Sequence, residues 1–147
     1  MEIRDFLKED DTEVDLRAAD KSSLLRTLAA RAGSALQLPI DAITNALEQR
    51  DELGSTGIGS GVCIPHARMR EVQKPFGMFV RLKHPIAYGA IDDEPVDLAF
   101  LLLLPASSQL DQLNALAAVS RKLRVPETLR CLREAGSKDE FYRTITR

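Results

Sequence analysis

The stretch Val96-Asp97-Leu98-Ala99-Phe100-Leu101-Leu102-Leu103-Leu104-Pro105 decides the fold. Only Asp97 interrupts the apolar run before Pro105 stops it. A strand with one wet face would alternate polar and apolar residues, so this run predicts a central strand covered on both sides. Downstream, Leu110, Leu113, Leu116, Ala117, Ser120 and Leu123 recur at helical spacing, and a helix over about 109–124 should lay that stripe on the sheet. Pro126 opens a further helix that should stop at Gly136 in the left-handed conformation. Ser137-Lys138-Asp139-Glu140 reads as a capping box for a last helix carrying Phe141 and Ile145.

Upstream, Phe76 to Leu82 is the next strand, and Pro85-Gly89 and Ile91-Glu94 read as turns. Val62 to His66 is a short β-prone run cut by Pro65, preceded by the glycine-rich Gly54-Gly61. Pro39 suits the first turn of a helix with Ile40, Ile43 and Leu47 on one face, ending near Arg50. Asp20 is placed to cap a helix bearing Leu24, Leu25, Leu28, Ala29 and Ala32, with Gly33 loosening its last turns. Thr12 to Leu16 alternates and predicts a short strand, after a solvated acidic turn at Glu9-Asp11. Strands interleaved with helices predict an α/β protein with a single mixed sheet sandwiched between α-helices.

The 147 residues suit one domain, 1–147, and can bury a core without staples. Two cysteines are too few for a disulfide scaffold. No apolar run approaches the ~20 residues of a membrane span. A net charge of −2 gives no field that favours nucleic acid. The chain is therefore expected in the cytoplasm, without membrane insertion or nucleic-acid partner.

The glycine segment fails both nucleotide-loop patterns. Gly54 and Gly59 have the Walker A gap, but Ser60-Gly61 stands where Lys-Ser/Thr is needed. Val62 and Ile64 occupy the positions where a dinucleotide fingerprint would need glycine, and a strand follows instead of a helix. Cys63 and His66, three apart, would point to opposite faces of a regular strand, although Pro65 breaks that regularity. Cys63 reads as a small buried hydrophobe, Cys131 as filler on a helix face, and His84 before Pro85 as an exposed turn residue.

His66 follows a glycine turn and a proline, and is expected at the C-terminal edge of a strand, where open α/β sheets carry their sites. A neutral imidazole is a nucleophile at cytoplasmic pH. The amides of Gly57 and Gly59, with the Ser55 and Thr56 hydroxyls, form a candidate cradle for a tetrahedral anion. The alternative is a histidine satisfied by local backbone.

Gly54-Ser-Thr-Gly-Ile-Gly-Ser-Gly-Val-Cys-Ile-Pro-His66 resembles the phosphorylation-site motif of enzyme IIA of the phosphotransferase system, fructose/mannitol type, and most closely its nitrogen-regulatory branch. The likeness extends to Ala46-Leu47-Glu48-Gln49-Arg50, His84-Pro85-Ile86-Ala87-Tyr88, Ala90 to Leu98 and Leu103-Leu104-Pro105-Ala106. It implies that His66 is the phosphoacceptor and that a small histidine-phosphorylated carrier of the HPr or NPr kind is the donor. It implies that Arg50 neutralises phosphate or braces the loop, and that no cofactor or metal takes part. Regulated targets such as transporters or sensor kinases are the implied partners. Because 1–147 is filled by the IIA unit, no transporter domain is expected, which favours regulation over sugar uptake. Transfer to a separate IIB domain, or a binding module that turns over no phosphate, are the alternatives.

One departure stands out. The family usually carries a second histidine at the start of the long helix, and here Gln112 occupies that position. Glutamine can hydrogen-bond a phosphate or an imidazole but carries no charge.

Overall fold

The computed structural model describes residues 1–147. Its sheet contains β1 (Thr12–Leu16), β2 (Gly57–Gly59), β3 (Val62–Cys63), β4 (His66–Met69), β5 (Phe76–Ile86) and β6 (Val96–Pro105). The strand order is β1-β5-β6-β3-β2, with β4 also paired to β6. Pairing is mixed: β5 runs antiparallel to β6, while β3 and β4 run parallel to it in succession. The helices are α1 (Lys21–Leu36), α2 (Ile40–Glu52), α3 (Gln109–Lys122), α4 (Pro126–Glu134) and α5 (Lys138–Thr146).

The apolar run is the spine of the fold because its side chains alternate between two cores. Ala99, Leu101 and Leu103 enter the core with Leu24, Leu28, Ile43 and Leu47 of α1 and α2. Leu98, Phe100, Leu102 and Leu104 enter the opposite core with α3, α4, α5 and the N-terminal segment. Every residue from Leu98 to Leu104 is fully buried, and each such leucine contributes roughly 1.5–3 kcal/mol of transfer free energy. Phe79 stacks between Phe100 and Phe141, at 5.1 and 4.5 Å between ring centroids, and so ties β5 to β6 and α5.

The caps explain where the helices begin. Asp20 accepts the Ser23 amide, Ser108 the Asp111 amide and Ser137 the Glu140 amide. The box at Ser137 is shifted, because the Glu140 carboxylate takes the Gly136 amide one residue before the cap.

Several expectations are corrected. α1 runs through Gly33 to Leu36; a Cβ on Gly33 would stand 2.6 Å from the Leu38 carbonyl oxygen, so glycine there admits the returning chain. Pro39 is the N-cap of α2 and not part of its first turn, and Ile40 is 39% exposed and lies outside the buried face of Ile43 and Leu47. α4 closes at Ala135, and Gly136 has no left-handed conformation. β5 continues through His84 and Pro85 to Ile86, where its register against β6 shifts past the proline; His84 is an exposed strand residue. On α3 the buried face is Ala115, Ala118 and Val119, continued by Leu123, whereas Leu110 and Leu113 are each 66% exposed. Small residues let this helix sit close to the sheet, and its large leucines face outward.

The glycine segment forms the β2–β3 hairpin. Gly59 pairs with Val62 around Ser60 and Gly61, whose φ angles are +57° and +78°, the backbone of a two-residue type I′ turn. No helix is long and apolar enough to cross a membrane.

Candidate functional site

The expected run from Val62 to His66 is broken in two at Ile64-Pro65. His66 therefore opens β4 instead of closing a strand, in register with Leu102 of β6. The break aims the imidazole along the sheet edge, between α2 of one layer and α3 of the other. Its Nδ1–H donates to the Ile64 carbonyl at 2.7 Å, a closure across two residues that holds the ring. On the other side, Arg50 Nε–H donates to His66 Nε2 at 3.2 Å. That donation assigns the lone pair to Nε2 and the proton to Nδ1.

Burial pushes the His66 pKa below its ordinary 6.5, and the Arg50 charge adds to that; the Ile64 bond opposes both without reversing them. The ring is neutral at pH 7, with Nε2 as its nucleophilic atom.

Although His66 is only 8% exposed, it lies at the wall of an open cleft of about 520 Å³. α2 contributes Ala46, Gln49 and Arg50 to that wall, Leu53 follows at its end, and β4 contributes His66, Ala67 and Arg68. Ala106 and Gln112 close it from the α3 side. No carboxylate lines the cleft. With a neutral His66 its wall carries two positive charges, those of Arg50 and Arg68.

Three of the seven residues expected at the site therefore meet: His66, Arg50 and Gln112. Gln112 is half-buried and makes no side-chain hydrogen bond to the imidazole. Ser55, Thr56, Gly57 and Gly59 do not line the cleft, because the hairpin carries them away from it. The Thr56 hydroxyl is committed to the Asp51 carboxylate and the Tyr88 hydroxyl, each at 2.8 Å, and the Thr56 amide to Asp51 as well. Ser55 Oγ accepts the Gly57 amide. A Cβ on Gly57 would lie 2.7 Å from the Ala90 side chain, so this glycine serves close packing.

These residues instead brace the segment that holds Arg50. Burial alone would raise the Asp51 pKa, but hydrogen bonds from Lys21 and Thr56 outweigh it and hold the carboxyl ionised below its ordinary range. Arg50 is fixed from the same segment, its second nitrogen donating to the Gly54 carbonyl at 2.9 Å. Cys63 is wholly buried beside Tyr88, and burial raises the pKa of its thiol. Nowhere do three or more His, Cys, Asp or Glu side chains group as metal ligands would.

Arg68 was missed by sequence reading. The signal was available: two residues beyond His66 on a strand, it shares the histidine's face. A larger cleft of about 690 Å³ lies between the β2–β3 turn and α4, but there Arg133 pairs with Asp97, and Arg130 with Glu134. Its charges largely neutralise one another.

One mixed sheet between two helix layers, with a neutral, backbone-oriented histidine in a cationic cleft, defines the class. The family model for the phosphoenolpyruvate-dependent sugar phosphotransferase system, EIIA 2, matches residues 5–147, and the chain belongs to this family. It is 36% identical over 147 residues to the nitrogen regulatory protein of Escherichia coli K12, covering 99% of this chain and 90% of that one. The crystal structure of the nitrogen regulatory protein IIA-Ntr from Neisseria meningitidis superposes with a TM-score of 0.93 at 28% identity, over 98% of this chain and 99% of that one. The IIA mannitol structure from Escherichia coli shares the fold at a TM-score of 0.79 and 16% identity, covering 95% of this chain and 98% of the other.

Proposed function

We propose that this chain is a phosphocarrier that accepts a phosphoryl group on Nε2 of His66 from a histidine-phosphorylated carrier protein of the HPr or NPr kind. The phosphorylated and free forms would then regulate other cytoplasmic components, such as transporters or sensor kinases. The observation that carries this reading is the Ile64–His66–Arg50 chain of hydrogen bonds, which fixes the proton on Nδ1 and holds the Nε2 lone pair against Arg50 at the wall of a cleft without carboxylates.

In the transfer, the Nε2 lone pair forms a new N–P bond as the donor's N–P bond breaks. The bonding pair returns to the donor ring, which leaves as a neutral imidazole holding a proton on its other nitrogen. His66 keeps its Nδ1 proton on the Ile64 carbonyl, so no proton moves and the two rings exchange roles. Arg50 releases Nε2 as phosphorus arrives and turns its donors to the phosphoryl oxygens, tethered meanwhile by Gly54. Such a loose transition state needs mainly positioning and charge stabilisation. Gln112 offers the oxygens a neutral amide from the α3 side.

The test is intact mass after incubation with the phosphorylated carrier. The wild-type chain is expected to gain one acid-labile phosphoryl group and His66→Ala none. Equal labelling of that variant, with the phosphate on His84 or a serine, would sink the assignment. Adding a fructose-type IIB domain distinguishes the roles: retention supports regulation, and rapid loss to IIB would assign the chain to sugar uptake.

A further inference from the structure

We infer that Arg68 is a second phosphoryl-binding cation, supplying from β4 the positive charge that neutral Gln112 does not supply from α3. This rests on the reading of His66 as phosphoacceptor.

Three observations carry it. Arg68 stands two residues after His66 on β4, so both side chains leave the same face of the strand, while Ala67 and Met69 enter the core beneath α1 and α2. Arg68 lines the same cleft and makes neither an ion pair nor a hydrogen bond, so its donors are uncommitted. The third observation is electrostatic. A phosphoryl group bound to nitrogen carries up to two negative charges, and no acidic side chain in the cleft competes for the cations. The phosphorylated ring, which keeps its Nδ1 proton, offsets one of these charges, but the phosphoryl oxygens themselves are met by a cation only from α2, through Arg50. Arg68 reaches the oxygens from β4, and its planar fork of donors matches phosphoryl oxygens.

A cation that touches the phosphoryl group stabilises phosphorylated His66 itself. A cation that only helps the carrier to dock stabilises the complex, and so speeds transfer in both directions without moving the equilibrium between the free proteins. The experiment therefore measures the equilibrium constant for phosphoryl exchange between the carrier and this chain, in wild type, Arg68→Ala and Arg68→Lys. Arg68→Ala is expected to shift the equilibrium about fivefold toward the phosphorylated carrier, with Arg68→Lys recovering most of the loss. Arg68 is exposed, so both variants are expected to fold. An equilibrium unchanged in Arg68→Ala would overturn the inference even if the rates fall, leaving the function of His66 intact. Failure of the wild-type chain to take up phosphate would overturn the reading of His66 and this inference with it.

Discussion

Replacing Arg50 by alanine separates two things that the arginine does at once. Its Nε–H bonds Nε2 of His66, and its second nitrogen bonds the Gly54 carbonyl. In the transfer the first donor turns to a phosphoryl oxygen, a charge-assisted bond worth roughly 1.5–3 kcal/mol. Lost from the transition state, that bond corresponds to about tenfold to a hundredfold in rate. The Gly54 bond persists through the transfer, so its loss reads out in stability, at about 1 kcal/mol, which for a chain of this length lowers the melting temperature by roughly 2–4 °C. The assay is single-turnover phosphorylation at saturating carrier and pH 8. There His66 is neutral in both proteins, although removing the Arg50 charge lets its depressed pKa rise. Arg50→Lys, which keeps the charge and loses the fork, is expected between the two. A rate for Arg50→Ala within twofold of wild type, with the melting temperature lowered, would show that Arg50 only braces the loop.

Acid stability should report the same histidine. Because His66 titrates below 6.5 in the folded chain and near 6.5 when unfolded, the unfolded state binds more protons in that window. Stability is therefore complete above pH 6.5 and falls as pH drops below it, by at most about 1.4 kcal/mol per pH unit. The melting temperature of His66→Gln should fall less steeply between pH 6.5 and 5; parallel profiles would refute the shift. Gln112→His should add a second imidazole that titrates near neutrality, lengthening the phosphohistidine lifetime and steepening its pH dependence. Superimposable lifetimes in the two proteins would place position 112 outside the site.

What the sequence made legible was set by local rules. The Val96–Pro105 run, the caps at Asp20 and Ser137 and the stop at Pro105 each act through residues near in the chain, and the structure reproduces them. The face of α3 was misread because periodicity counts large apolar residues, whereas the close approach to β6 selects Ala115, Ala118 and Val119. Leu110 and Leu113 remain on the surface. His66 stood out through its motif, and Arg50 and Gln112 through the resemblance. The roles of Thr56 and Gly57 were not legible, since Tyr88 and Ala90, which occupy them, lie more than thirty residues away. Arg68 needed only the strand register of His66, hidden by reading β4 as the end of the strand before Pro65.

The central claim is that phosphate resides on Nε2 of His66 while Nδ1 keeps its proton on Ile64. Nitrogen–phosphorus coupling in the phosphorylated, nitrogen-15-labelled protein tests it directly. The account requires one coupled ring nitrogen, assigned to Nε2 of His66, with a hydrogen-bonded proton on Nδ1. Coupling at Nδ1, or at His84, would contradict it.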